Sequence, residues 1–427
     1  MRRARSLPVP LLMKERTSMQ LVEQHIIEKH DPRYSVIDEA AFESKNLYNA
    51  ALYEIRQSFI HEGWYLNYHE MDRRMKQHEA YKALPAKVSQ QILMLLDKNW
   101  KSFFEALKAY EEDPSKFLGR PKLPKYKHKT EGRNILVYTI QAISKRGLKH
   151  GLVQPSMLPI SIKTKQKRID QVRIVPRNGH YVVEVIYTKE PVQANVDPSF
   201  CVGIDLGVTN LAAIASNREG FVPRLVNGRP IKAWNQWYNK RMKELKKQLP
   251  KDDRERVTHQ MERITNTRNR RIDHYLHTAS KRIIDFLVEE GVGTVIIGKN
   301  PLWKQECGMG RKNNQSFVSI PHARFIDMLT YSAALVGIQV EVREESYTSK
   351  ASFFDLDPLP DYKPNDDEEH VFSGKRTGRR NRLYRTKDGR KICADMNGAY
   401  NILRKSRPDA FAKGIAGYVV HPLRLAV

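Results

Sequence analysis

At 427 residues, with 74 Lys and Arg against 48 Asp and Glu for a net charge of +26, the chain is too long for one ordinary domain and far more basic than solubility requires. A charge of that size repels itself in the folded state, and a polyanionic partner, nucleic acid, is its simplest explanation. Three cysteines, Cys201, Cys307 and Cys393, stand far apart with no CxxC pair, which argues against a disulfide framework or a cysteine-based zinc site.

The opening stretch, MRRARSLPVPLLMKER, has an apolar part too short for a signal peptide and broken by two prolines. No apolar run approaches the ~18 to 20 residues of a membrane span. A soluble cytoplasmic protein with no membrane partner is expected.

From about Ser35 to Tyr110 the pattern is helical. It is clearest after LPAK, with Pro85 near the helix entry and Val88, Ile92, Leu95, Leu96, Phe103 and Leu107 recurring at spacings of three, four and seven. A small helical bundle is expected. Between Lys116 and Lys129 seven basic side chains surround Tyr126, a composition that suits either a loop tracking phosphates or a solvated linker. Arg120, Lys122, Lys125 and Lys127 are its candidate contacts. In QVRIVPRNGHYVVEVIYT, Asn178-Gly179 marks a tight hairpin.

From Cys201 the segment CVGIDLGVTNLAAIASNREGFVPRLVNG predicts a meander of three strands, Val202 to Leu206, Leu211 to Ala215, and around Phe221 to Val226. A basic helical pattern follows from about Asn235 to Glu290, interrupted near Pro250. Its second part keeps Ile272, Leu276, Ala279, Ile283 and Leu287 on one face and leaves Arg268, Arg270 and Arg271 for a nucleic-acid backbone. TVIIGKN, HARFIDMLTYSAALVG and IQVEVREES then read as a parallel βαβ unit. ADMNGAYNILRKS reads as a helix start. A meander followed by alternating strands and helices is the order of a ribonuclease-H-like fold.

Metal-assisted phosphodiester hydrolysis needs carboxylates that converge on hard divalent cations. Asp205 in GIDLG ends a strand beside Gly203 and Gly207; Asp395 in CADMNGAYN stands where a loop enters a helix. Alone, each reads equally as a turn or cap residue.

In combination, GIDLGVTNLAAIAS, RNRRIDHYLHTASKRII, IPHARFIDMLTYSAALVGIQV, YTSKAS and DMNGAYNIL occur in the order that resembles the TnpB family, transposon-encoded RNA-guided nucleases related to type V CRISPR effectors. LPAKVSQQILMLLDKNWKSFFEALKAY running into GRPKLPKYK is similar to the family as well. The resemblance implies an α+β multidomain protein: an N-terminal β-rich wedge domain with a helical recognition insertion, and a C-terminal ribonuclease-H-like (RuvC) nuclease domain. The expected divisions are wedge at 1–34 and 116–196, recognition helices at 35–115, nuclease at 197–350, an insertion at the zinc-ribbon position over 351–392, and the end of the nuclease with the tail at 393–427. It also implies a guide RNA, target double-stranded DNA beside a short flanking motif, and two Mg²⁺ ions, with Asp205 and Asp395 as the first and third carboxylates. The oligomeric state stays open.

Two departures from the family pattern stand out. The usual second acid, a Glu at the end of the strand TVIIG, falls at Gly298. The usual zinc ribbon finds Ser349 and Ser352 instead of cysteines, followed by an acidic run, Asp357 to His370, and a basic one, Gly374 to Ile392. No zinc is expected.

In this fold the strand ending at Gly298 lies beside both the Asp205 strand and IQVEVREES, so an acid at the end of that neighbour starts one or two strand spacings away, about 5 to 10 Å. Glu345 is the first candidate for the displaced acid and Glu344 the second. Glu341 lies deeper in the strand, and Glu306 in WKQEC on a loop. The competing expectations are a nuclease-inactive RNA-guided repressor and a guide-independent transposase or resolvase.

His274, His277 and His322 read as packing or phosphate contacts. Lys299, Asn300, Trp303 and Lys304 follow the vacant acid position and are candidates for the heteroduplex. Arg376, Arg379, Arg380 and Arg382 are candidate nucleic-acid contacts, and Asn397 a substrate-orienting or capping residue.

Overall fold

A computed structural model describes residues 18–253, 255–300, 319–361, 370–378, 382–412, 414–415 and 421–427. Trp303, Lys304, Glu306, Cys307, Arg379 and Arg380 lie outside the described residues. The chain divides into two compact units, Met1–Glu190 and Pro191–Val427. The division falls a few residues before the one expected at 196/197. The amide groups of Val192 and Ala194 donate to the carbonyls of Leu335 and Val336, which ties the connecting segment to the second unit.

In the first unit, strand β1 (Met19–Glu28) precedes helices α1 (Tyr34–Gln57), α2 (Tyr68–Met75) and α3 (Ala86–Glu112). Buried Ile37, Ala41, Ser44, Tyr48, Leu52 and Ile55 repeat every three or four residues along α1. Along α3, which starts directly after Pro85, Val88, Ile92, Leu96 and Trp100 do the same. After the helices come β2 (Leu136–Thr139), β3 (Gln171–Arg177) and β4 (His180–Lys189). The β3–β4 turn is Asn178-Gly179, of which only Gly179 takes a positive φ, +74°.

β1 runs antiparallel to β4 along its whole length, from Met19 opposite Lys189 to Glu28 opposite His180. The sheet order is therefore β1-β4-β3-β2, with the helices inserted between its first strand and the rest. Asp38 on α1 joins the sheet to the helices. Its carboxylate accepts from the Arg133 guanidinium at 2.9 and 2.7 Å and from the Tyr181 hydroxyl at 2.6 Å.

The basic segment after α3 is docked on α1. The Asn49 side chain donates to the Lys127 carbonyl and accepts from its amide, each at 2.9 Å, as a paired strand would. The buried Lys45 ammonium donates to the Lys129 carbonyl at 2.7 Å. Arg120, Lys122, Lys125 and Lys127 are all exposed along this docked segment.

The second unit opens with the meander β5 (Asp197–Leu206), β6 (Asn210–Ser216) and β7 (Arg224–Asn227), then α4 (Arg229–Lys247) and α5 (His259–Glu289) on either side of Pro250. β8 (Val292–Gly298), α6 (His322–Ala334) and β9 (Gln339–Arg343) form the parallel βαβ unit. With β13 (Leu423–Leu425) at the far edge, the six-stranded order is β9-β8-β5-β6-β7-β13. A small antiparallel sheet of β10 (Lys375–Thr377), β11 (Leu383–Arg385) and β12 (Lys391–Cys393) leads into α7 (Ala394–Ser406).

Helix α7 lies directly on β5 because glycines stand at the contact. A Cβ on Gly203 would come within 2.2 Å of the Ala399 carbonyl oxygen, and one on Gly398 within 2.6 Å of Asp205 Oδ2. Among the described residues no helix is long and apolar enough to cross a membrane.

Candidate metal centre

The register of the central strands places the three chain segments of the site. Ile204 of β5 is level with Ile297 of β8, and Gly298 is level with Arg343 of β9. The carboxyl ends of three adjacent strands thus stop at one height, with Asp205 at the end of β5 and Glu344-Glu345 just past the end of β9. Helix α7, pressed onto β5, brings Asp395 in its first turn to the same end.

The space beside Gly298 is filled. A Cβ built there would lie 2.2 Å from Glu345 Oε2, and 2.5 Å from Ile402 Cδ1. The Glu345 carboxylate occupies the space that a side chain at 298 would enter.

The three acids after Ile338 are in different states. Glu341 is bound by Arg407 and by Arg343, which hold its carboxyl below the usual range against the opposing effect of burial. Glu344 is paired with Lys405 and accepts from the Ser346 amide at 2.6 Å. Glu345 Oε2, by contrast, is sealed from solvent without a hydrogen-bond partner. Burial, reinforced by the neighbouring Glu344 charge, pushes the Glu345 carboxyl up to about 7.

Asp205 is pushed well above the ordinary aspartate value, first by burial and then by the charges of Glu345 and Asp395, with Arg376 opposing. The residue as a whole touches solvent while its carboxyl is deeply seated. Asp395 Oδ2 accepts from the Asn210 side-chain amide at 2.6 Å.

Asp205 and Glu345 line one cleft of about 710 Å³, with Asn300, Lys350, Lys375 and Arg376 also on its wall. Among the described residues no three His, Cys, Asp or Glu side chains stand close enough together to form a closed metal-ligand set. The charges of Glu345 and Asp395 nevertheless both act on the Asp205 carboxyl. Mutually repelling carboxylates, an orphaned buried oxygen and an open polar cleft are a donor set that fits hard divalent cations.

Other expected residues have other partners. The Arg268 guanidinium donates to Asn235 Oδ1 at 2.8 Å, to the Ser319 carbonyl at 2.9 Å and to Asn269 Oδ1 at 2.8 Å, so it ties α5 to α4. Arg270 donates to the Asn266 carbonyl one turn back at 3.3 Å, while Arg271 is exposed.

The His322 imidazole is fully buried and reaches the Gly207 carbonyl at 3.3 Å; His277 meets the Tyr331 hydroxyl at 3.1 Å. Asn397 neither caps its helix nor faces the cleft. It accepts from the Phe353 amide at 2.9 Å and donates to the Ala351 carbonyl at 2.7 Å. Arg382 is exposed.

Where a zinc ribbon was the family expectation, a carboxylate and hydroxyl network joins the segments. Asp357 accepts from the Ser352 amide at 2.8 Å and from the Ser373 amide and hydroxyl at 3.1 and 2.6 Å. Asp355 accepts from the Ser352 hydroxyl at 2.6 Å and the Lys387 amide at 3.0 Å. Asn210 and Lys405 escaped the sequence reading. The only signal for either was proximity to a motif, GIDLGVTN for one and the last turn after DMNGAYN for the other.

Residues 180–303 match the OrfB_IS605 family, described as a probable transposase, and residues 322–402 match the Cas12f1-like TNB domain. No curated protein matches the chain. Among solved structures, a Cas12f1–sgRNA–target DNA complex is 16% identical, covering 86% of this chain and 83% of that one at a TM-score of 0.46. A CRISPR-Cas12f ternary complex is 16% identical over 86% and 81% at 0.34. C2c1 of Alicyclobacillus acidoterrestris in complex with single-guide RNA is 9% identical over 88% and 67% at 0.34.

Proposed function

From the premise that this chain is a TnpB-family protein related to the type V effectors, we propose that it is an RNA-guided DNA endonuclease whose second acid has moved from position 298 to Glu345. The observation that carries this reading is the overlap of Glu345 Oε2 with the Cβ position of Gly298. An acid lost by decay would leave that space empty or filled by apolar side chains alone, whereas Ile402 shares it with Glu345. Here it holds a carboxylate with an oxygen left free to bind something else.

In this reading base pairing with a guide RNA selects the target double-stranded DNA, and the protein reads a short flanking motif. Asp205, Glu345 and Asp395 would hold two Mg²⁺ ions, which, when bound, activate water and stabilise the leaving oxygen of the phosphodiester. Asn210 orients the Asp395 carboxylate through its 2.6 Å hydrogen bond. Arg376, on the wall of the cleft and opposing the raised proton affinity of Asp205, faces the incoming phosphate. The exposed Arg120, Lys122, Lys125 and Lys127 supply backbone contacts from a segment already immobilised on α1.

The test is one reaction. The protein purified with its own guide RNA is mixed with Mg²⁺ and a matching duplex flanked by randomised bases, and both binding and cutting are scored. Cutting that is abolished in Glu345→Gln supports the proposal. Guided binding without cutting by the parent protein identifies a repressor, and guide-independent strand joining a transposase or resolvase.

A further inference from the structure

The relocated acid sits outside any strand, on a turn, where a side chain would ordinarily sample many positions. The backbone around it is held from three sides. Asn300, two residues beyond Gly298, accepts at Oδ1 from the Glu345 amide at 3.0 Å and from the Ser346 hydroxyl at 3.5 Å. The Glu345 carbonyl accepts from the Thr348 amide and hydroxyl at 3.2 and 2.8 Å, closing the turn.

The third hold comes from α7. The Lys405 side chain is only 9% exposed. Its ammonium donates to the Glu344 carboxylate, to the Ser346 carbonyl at 3.2 Å and to the Pro360 carbonyl at 2.9 Å. It thereby grips the residues on both sides of Glu345 and leaves Glu345 itself untouched. Asp361 Oδ1 lies 3.3 Å away on the exposed side.

We propose that Lys405 and Asn300 are positioning residues that seat the Glu345 carboxylate for a divalent cation. The inference rests on the reading of Glu345 as a metal-holding acid. The geometry explains why Lys405 in particular serves. It stands on the same rigid helix as Asp395, so one element fixes Asp395 through its first turn and the Glu345 turn through its last.

Asn300 ties the same turn to the end of β8, beside the strand of Asp205. A ligand side chain with a free oxygen, carried on backbone whose neighbours are fully bonded, is a preorganised ligand. A surface ion pair with no role at the site would have no reason to straddle it, nor to be nearly buried.

The experiment measures cation binding apart from cleavage. Mn²⁺ binding to the full-length chain without nucleic acid is followed by electron paramagnetic resonance of the free ion, for the parent, Lys405→Met, Lys405→Arg, Asn300→Ala, Glu344→Gln and Glu345→Gln. Thermal melts in chelator check folding. The site of interest is the Mn²⁺ binding that Glu345→Gln removes.

Expected are a ~10- to 100-fold weaker Mn²⁺ dissociation constant in Lys405→Met and Asn300→Ala, a smaller change in Glu344→Gln, and substantial retention in Lys405→Arg. In the guide-loaded protein the Mg²⁺ concentration for half-maximal cutting rises, and the maximal rate returns at excess Mg²⁺. Should Lys405→Met fail to fold, Asn300→Ala and Glu344→Gln decide. Parental Mn²⁺ affinity and Mg²⁺ dependence in folded Lys405 and Asn300 variants, with Glu345→Gln deficient in both, overturns the positioning role alone. Parental Mn²⁺ binding and cutting by Glu345→Gln overturns the reading of Glu345 beneath it.

Discussion

Adding one carbon at position 298 perturbs the site more selectively than removing an acid. In Gly298→Ala the new Cβ would meet Glu345 Oε2 at 2.2 Å and Ile402 Cδ1 and Cγ1 at 2.5 and 3.0 Å. Ordinary van der Waals contact begins near 3.4 Å, so the carboxylate oxygen must retreat by about 1.2 Å and the Ile402 side chain by slightly less. Both are ends of side chains, and the overpacking cost to the fold is about 1 to 3 kcal/mol.

The effect on chemistry is larger, because an ångström of misplacement at a reacting centre costs about 100-fold, equivalent to about 2.7 kcal/mol of barrier. Single-turnover cleavage of a matched duplex by the guide-loaded protein is therefore expected to slow about 100-fold in Gly298→Ala. Duplex binding, measured in parallel by gel shift, stays within about twofold. Cutting at the parental rate by a folded Gly298→Ala protein would show that the seat of Glu345 against Gly298 has no bearing on catalysis, and would refute the reasoning.

Asp357→Ala removes three hydrogen bonds from Ser352 and Ser373, and is expected to lower stability by about 2 to 4 kcal/mol in chemical denaturation, with the parent melt unchanged by a zinc chelator. For the first unit, burial raises the Asp38 proton affinity, but hydrogen bonds from Arg133 and Tyr181 outweigh it and depress the folded value. A depressed carboxyl contributes stability above its unfolded pKa, about 3.9, and loses it as pH falls through the folded value. The stability gap between parent and Asp38→Asn should hold at neutral pH and shrink in acid denaturation series below about pH 4; a gap that widened there would reverse the sign. Arg268→Ala should lower the melting temperature without altering the salt dependence of nucleic-acid binding, while Arg271→Ala should reduce the slope of log affinity against log salt by about 1 and leave the melt unchanged.

Periodicity carried much of the fold because its cause is local. The three-and-four spacing of Val88, Ile92 and Leu96 follows from the geometry of a single helix with one buried side. Order along the chain then restricted the second unit to few topologies, since a strand, a helix and a strand of these lengths close as a right-handed parallel unit. Arg268 has partners that were not legible, for the complementary reason. Its place on the polar side of α5 is a local fact, but its acceptors, Asn235 and the Ser319 carbonyl, come from segments 33 and 51 residues away.

What the sequence determined by itself is the order of the main helices and strands of the second unit and the two aspartates at element ends, because each is encoded within a short window. Position along the strand ranked Glu345 ahead of Glu344 and Glu341, but which of the three keeps a carboxylate oxygen without a partner is a matter of tertiary contacts. All three acids lie within five consecutive residues, and nothing local distinguishes a carboxylate that will be neutralised from one that will stay free. Arg407, just past the end of α7, and Lys405, in its last turn, some 60 residues later, claim the first two, and the absent side chain at Gly298 leaves room for the third.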